Sequence, residues 1–190
     1  TSSDSSGDLT ATIQANQTAG ISIVKFTTNG DDQTIAHGLG AKPDMIWLKP
    51  LTSANWIVIG KMDEGTFNNK YLLLHDTDAR GTDGSYGEPT NSLFATSNNI
   101  SPDAAHTAFC FTSIKGYSKI GFYKGNGNAN GTFVYCGFKP AWIIVKQIDG
   151  GDNWQLIDNK INPRNLAETF FSPDTAAAET THANNIKLDL

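Results

Sequence analysis

The chain writes one stretch twice. Residues 19–61, AGISIVKFTTNGDDQTIAHGLGAKPDMIWLKPLTSANWIVIGK, and residues 116–160, GYSKIGFYKGNGNANGTFVYCGFKPAWIIVKQIDGGDNWQLIDNK, carry the same landmarks in the same order. The aromatic before the first turn (Phe26, Tyr123), the Asn-Gly turn (Gly30, Gly127), the Lys-Pro step (Pro43, Pro140) and the strand-end lysine (Lys49, Lys146) each recur 97 positions apart, and the tryptophan (Trp56, Trp154) recurs at 98. A repeat of this length constrains the fold before any single residue does, because each copy must form the same supersecondary unit.

The repeat also sets the phase of the units. LTATIQ at residues 9–14 alternates like a half-buried strand. Shifted by 97, its Thr10-Ala11 falls on Thr107-Ala108, so the first strand is the counterpart of one in the middle of the chain. The units therefore run over 10–106 and 107–190, each beginning with that strand. In the first, ISIVKF is a strand, and TTNGDD is a turn whose Asn-Gly suits left-handed dihedrals. Gly38 and Gly40 mark a bend before Pro43. DMIWLK and NWIVI are apolar nearly throughout and read as strands buried on both faces. YLLL is a further strand, and a polar segment at 75–91 precedes the closing strand at 92–96. In the second unit SKIGFY, TFVYCGF, AWIIVK, NWQLID and TFFS take the same places, with Asp174-Thr175 falling on Asp76-Thr77. The alanines of 176–178 suit one helical turn, and IKLDL at 186–190 closes the chain.

Only 17% of residues are charged while glycine numbers 18, which fits many short strands and turns. The expected fold is all-β, an antiparallel β-sandwich of jelly-roll or lectin-like type built from two internal repeats. No Pro/Ser/Gly linker divides the units, which favours one sandwich over 9–190 above two in tandem. TSSDSSGD at 1–8 has nothing to bury and reads as a flexible lead.

A net charge of −5, with no run of Lys or Arg, argues against nucleic acid and against an anionic membrane surface. No apolar run is long enough to span a bilayer as a helix, and the first residues lack the layout of a signal peptide. Cys110 and Cys136 lie in strand-like runs outside any metal or redox spacing. They read as small buried hydrophobes or as a disulfide between neighbouring strands. His37, His75, His106 and His182 show no spacing that puts two on one metal. There is no Gly-x-Ser-x-Gly elbow, zinc helix or phosphate-cradling loop. Glu64, Glu88, Glu168 and Glu179 lie in loop-like segments with nothing marking a glycosidase pair. The chain reads as non-enzymatic and without a required cofactor.

Candidate sites are the places that break the internal symmetry. Trp47, Trp56, Trp142 and Trp154 obey it, so a core explains them better than sugar stacking does. Tyr86 sits in the loop that the second unit does not reproduce, and with Arg80 and Asp83 it forms the ligand-binding candidate. Asp76, Asp78 and Asp83 put three carboxylates into a short loop that can fold back at Gly81 onto a hard cation, calcium, or can stand solvated with Arg80 pairing one of them. The amides of Asn126, Asn128 and Asn130 have the oxygen spacing of a calcium loop without its charge, and a hairpin turn accounts for them.

The runs GISIVKFTTNG and HGLGAKPDMIWLK, with GYSKIGFYKGNG, GFKPAWIIVK and NWQLID, resemble a repeat domain of bacteriophage structural proteins, particularly from marine phages. Such members show a Tyr-x-Gly-Asn-Gly turn, here residues 123–127, a Gly-Phe-x-Pro-Ala-Trp strand, here 137–142, and a following Trp strand, here at Trp154. The likeness covers the chain from about Ala15. In the first copy Thr28 replaces the turn's first glycine and Met45 stands where the second has Trp142. The resemblance implies a lectin-like sandwich on the virion surface, assembled in the host cytoplasm. It transfers no catalytic or ligand residue, and in such proteins a further strand often follows the position of Leu190.

If the first strand of each unit pairs with the last strand of the unit before it, residues 186–190 end as an open edge and residues 9–14 begin as a free strand. Open edges attract partners. Leu9, Ile13, Ile186 and Leu188 are then the assembly candidates. Either residues 9–14 are donated to another copy or a neighbouring virion protein, or they fold back on their own chain. The functional expectation is a virion structural protein, a head-decoration or tail-fibre component. It would be homo-oligomeric, with polar loops such as 80–91 turned to solvent and host surface glycans. The rivals are a free carbohydrate-binding module or lectin-like adhesin, and a glycan-cleaving depolymerase.

Overall fold

The structure is a computed structural model that describes residues 1–52, 55–62, 65–67, 69–128, 130–162 and 166–187. It is all-β and sandwich-like, with no helix among the described residues. The strands are β1 (Ser2–Asp4), β2 (Ala11–Asn16), β3 (Ile21–Thr27), β4 (Gln33–Ala36), β5 (Met45–Pro50), β6 (Ile57–Gly60) and β7 (Lys70–Leu73), then β8 (Gly81–Thr82), β9 (Leu93–Thr96) and β10 (Ala105–Phe111). The remainder are β11 (Trp142–Val145), β12 (Gln155–Asp158), β13 (Leu166–Phe170) and β14 (Thr180–Lys187). Every strand ladder is antiparallel.

One sheet holds eight strands in the order β1-β2-β3-β10-β5-β6-β7-β8. Period-2 patterning fixes its faces. On one face Val24 and Phe26 of β3, Ala108 and Cys110 of β10, Ile46 and Leu48 of β5, and Ile57 and Ile59 of β6 form the main core. They pack on a second layer, the β4–β9 pair, through Ile35 and Phe94, with Leu39, Phe67 and Ile100 filling in. The opposite face of β5–β7 carries Val58, Leu72 and Trp47, which pack against Trp154, Ile144 and Ile148 of the second unit. The central strands are thus covered on both faces, as their continuous apolar runs require.

The repeat is visible pair for pair. In the first unit Met45, Ile46, Trp47 and Leu48 face Gly60, Ile59, Val58 and Ile57. In the second, Trp142, Ile143, Ile144 and Val145 face Asp158, Ile157, Leu156 and Gln155, which are those positions shifted by 97 on one strand and 98 on the other. The turn glycines match as well. Gly30 and Gly127 have φ of 90° and 67°, and Gly40 and Gly137 have 68° and 82°, all in the left-handed region that glycine enters without steric cost. The backbone N–H of Trp56 donates to His75 Nδ1, and that of Trp154 to Asp174 Oδ2. Asp174 is therefore the counterpart of His75, one place from the Asp76 that the sequence offset suggests.

Several expectations are corrected. The second unit's first strand, β10, does not pair with the last strand of the first unit. It lies between β3 and β5. Residues 1–8 are tied down rather than open. β1 pairs with β2, and Asp8 exchanges hydrogen bonds with Thr34. β2 folds back on β3, so Ile13 is buried in the main core and the half-buried Leu9 packs against it. At the other end the closing strand starts at Thr180, and residues 176–178 form no helix. Ile186 pairs with Ala167 inside β14, and Leu188 lies outside the described residues.

Candidate functional site

The polar loop after β7 is bound inward by its own carboxylate. Asp83 accepts hydrogen bonds from the Ser85 backbone N–H (3.1 Å), the Ser97 hydroxyl (2.7 Å) and the Asn99 amide (3.0 Å). Burial alone would raise its pKa, but the Asn99, Ser97 and Ser85 donors together outweigh that and hold it below the usual carboxylate value. Asp32 adds a second tie, accepting from Ser85 Oγ and the Asn98 N–H, both at 2.8 Å. Tyr86 is only 2% exposed and meets Tyr71 edge to face at 5.9 Å between ring centroids. Burial pushes its phenol well above the ordinary range. Tyr86 therefore offers no face for a sugar to stack on. It breaks the internal symmetry because it packs the loop onto the core.

Arg80 reaches to the second unit. Its guanidinium pairs with Asp149 at 3.1 Å, and its backbone N–H donates to Ile148 O, tying this loop to the second unit. Asp76 accepts from the Thr77 N–H. No three His, Cys, Asp or Glu residues converge as a metal group among the described residues, so Asp76, Asp78 and Asp83 do not assemble into one site. The acidic loops of the two units gather instead around a lysine. Lys146 Nζ donates to the carbonyls of Gln147 (2.7 Å), Thr77 (3.1 Å) and Gly150 (3.1 Å). Its pKa is lowered, first by burial, against the opposing pull of Asp152, Asp174, Asp78 and Asp76. An ammonium thus occupies the position between the acidic loops.

Cys110 and His106 belong to the core. Cys110 is buried in β10 with its thiol pKa pushed up by burial, and both cysteines are free thiols. His106 stacks on Phe26 at 5.3 Å, with its ring nitrogens 2.8 Å and 3.1 Å from the carbonyls of Ala104 and Ile100. Glu88 pairs with Lys42 and accepts from the Phe67 N–H.

The surface that stands out lies in the second unit. Tyr117, Phe122, Tyr123, Phe133, Val134, Tyr135 and Trp142 are all exposed, a contiguous run of sequence that holds most of the exposed large apolar side chains. In the first unit the same stretch supplies β3 and β4, whose core-facing side chains are buried. Phe26 is 5% exposed, and its counterpart Tyr123 is 49% exposed. β3 is laddered on both sides, by β2 and β10, whereas residues 119–124 join no strand ladder among the described residues. β11 likewise pairs only with β12 among the described residues. On its core face Ile143 and Val145 stay half-buried where their counterparts Ile46 and Leu48 are fully buried. An exposed run of aromatics beside unpaired backbone is chemically a contact surface: it can bury apolar area and complete a sheet. The sequence marks these residues as strands.

The whole chain, residues 1–190, matches a family described as a domain of unknown function, DUF7483. No curated protein and no solved structure matches it.

Proposed function

The chain belongs to the DUF7483 domain family, and we propose that it works by contact, as a non-enzymatic structural protein of a phage virion surface, in a head decoration or a tail fibre. One observation carries the reading: residues 117–142 expose Tyr117, Phe122, Tyr123, Phe133, Tyr135 and Trp142, and β11, which begins at Trp142, is laddered to β12 alone among the described residues. Such a surface favours association with another folded chain. The virion setting is supported by the motif resemblance at residues 123–127, 137–142 and Trp154. Mass spectrometry of density-gradient-purified particles from the source tests it. Peptides of this chain co-banding with head or tail proteins are expected, and their restriction to the particle-free fraction would overturn the reading.

A second reading, a free carbohydrate-binding module, draws on the same aromatics. Tyr117, Tyr123, Tyr135 and Trp142 present faces of the kind that stack on pyranose rings. Glycan binding by a monomer, lost in Trp142→Ala, would favour it over assembly.

A further inference from the structure

We propose that the outer face of β2, β3 and β10, in the first unit, is a binding trough for an anionic polysaccharide. The site uses none of residues 117–142 and goes beyond the assembly reading, so the two stand or fall separately.

Alternation on β2 turns Ala11 and Ile13 into the core and leaves Thr12, Gln14 and Asn16 exposed on the other side. The ladders extend these three positions into ranks across the sheet. Thr12 stands beside Lys25 and then Thr107, Gln14 beside Ile23 and then Phe109, and Asn16 beside Ile21 and then Phe111. The second unit covers the outer side of the same sheet at Trp47, Val58 and Leu72, but Ile23 stays 39% exposed. Two open hollows lie end to end along the β2–β3 ladder. The lining of one, about 430 Å³, includes Thr10, Thr12, Lys25 and Thr27, and that of the other, about 570 Å³, includes Gln14, Asn16, Ile21 and Ile23. Each is of a size that holds a small ligand. Together they follow the strand from Thr10 to Asn16, a length of about 20 Å, which suits several sugar rings in line.

Three kinds of group face the trough. Ile23 and Phe109, with Trp56 stacked on Phe109 at 6.2 Å between ring centres, form an apolar strip of the kind that packs on the C–H face of a pyranose. Thr12, Gln14 and Thr107 make no side-chain hydrogen bond among the described residues, which leaves two hydroxyls and an amide for sugar hydroxyls. The lysines set the charge of the ligand. Lys25 is exposed and makes no ion pair among the described residues. Lys49 shares its rank, opposite Thr107, with its ammonium 2.9 Å from Pro50 O and 5.8 Å from the Trp56 ring centre. β2, β3, β5 and β10 contain no Asp or Glu, in a chain whose 19 acidic residues outnumber its 14 basic ones. A carboxylate or sulfate on the sugar chain therefore meets cations on this face and no opposing charge. Other polymers fit less well. A nucleic acid carries a phosphate at every step and needs a row of cations that two lysines do not supply. A folded partner needs a continuous apolar patch, and Ile23 is the one strongly exposed large apolar side chain of these strands.

The test is affinity electrophoresis of the full chain through native gels that contain alginate, carrageenan or dextran, which present carboxylates, sulfates and neither. Retardation by alginate or carrageenan and not by dextran is expected, and the polymer that retards identifies the anion. Binding should weaken about tenfold between about 50 and 200 mM salt, the loss that release of two counterions brings. Lys25→Gln should weaken it about tenfold and Gln14→Ala by a smaller factor. Both variants should melt close to the parent, because neither side chain is bonded within the fold among the described residues. Trp142→Ala should bind as the parent does. Equal retardation by dextran would overturn the anionic class. Binding kept in Lys25→Gln and lost in Trp142→Ala would overturn the site and move the glycan to residues 117–142. No retardation in any gel would overturn the proposal and leave the assembly reading standing.

Discussion

Trp154 is the bolt between the two units, and removing it should cost far more than removing its repeat partner. Its ring is 4% exposed, packs with Val58, Met62 and Leu72 of the first unit, and donates from Nε1 to Leu73 O at 2.8 Å. Trp154→Phe keeps most of the apolar area but removes the donor, a loss of about 1 kcal/mol. Trp154→Ala adds a cavity at a site where both units must relax, and large-to-small changes of this kind cost about 3–5 kcal/mol. Against a total stability on the order of 5–15 kcal/mol that is a large share. Trp56 is half-buried, stacked on Phe109 at 6.2 Å, with the Lys49 ammonium 5.8 Å from its ring centre. Trp56→Ala should cost about 1–2 kcal/mol. Urea unfolding followed by fluorescence and by far-UV circular dichroism reads all three variants. The expected order is Trp154→Ala, then Trp56→Ala, then Trp154→Phe. In Trp154→Ala the two signals should also separate as the second unit undocks. Equal midpoints for Trp154→Ala and Trp56→Ala would refute the docking account.

Further outcomes follow from the loops and the buried ring. The folded-state pKa values of Asp44, Asp83 and Glu88 are lowered, so the stability they supply is present above their ordinary values of 3.8, 3.8 and 4.5 and is lost as pH falls through the lowered ones. Asp83→Asn should flatten part of that acid loss in a pH series of thermal melts and lower the melting point at pH 7. His37 is buried with its pKa lowered by burial. Its Nδ1 accepts from the Leu39 N–H and its Nε2 lies 3.3 Å from Thr90 O, which fixes the neutral ring. Its contribution is whole above the ordinary 6.5 and declines as pH falls below that value, a slope that His37→Gln should remove. Calcium or a chelator should leave the melting temperature unchanged, because hydrogen bonds from Ser85, Ser97 and Asn99 occupy the oxygens of Asp83. A shift of several degrees would restore the calcium loop. Arg80→Ala should cost less than about 1 kcal/mol, since its partner Asp149 is 70% exposed.

Local pattern revealed the strands and the repeat revealed their equivalence, but neither says which strand lies beside which. The alternation in ISIVKFT and AHTAFCF and the unbroken apolar runs of β5 and β6 gave the fold class and the two-faced burial, because each reports what a strand must hide. The insertion of β10 between β3 and β5 is a long-range pairing, and no local preference encodes it. SKIGFY and TFVYCGF have the right pattern yet join no ladder among the described residues, which shows that periodicity measures a capacity to pair and not the presence of a partner. Tyr86 misled for a related reason. Asymmetry between repeats marks a difference in environment, and here the difference is a loop packed down by Tyr71 and Asp83, with no ligand face on offer. Lys146 was legible as a repeated strand end, but its gathering of acidic loops from both units was not, because Thr77 and Gly150 meet only in three dimensions.

The central claim is that residues 119–124 of the second unit stand outside any ladder among the described residues, where their counterparts in β3 are laddered on both sides. Amide hydrogen exchange, resolved to single residues in dilute protein and again in assembled protein, tests it most directly. The account predicts slow exchange along β3 and β5 in both states, with fast exchange for residues 119–124 in the dilute chain that becomes protected on assembly. Protection of residues 119–124 equal to that of β3 in the dilute monomer would contradict it.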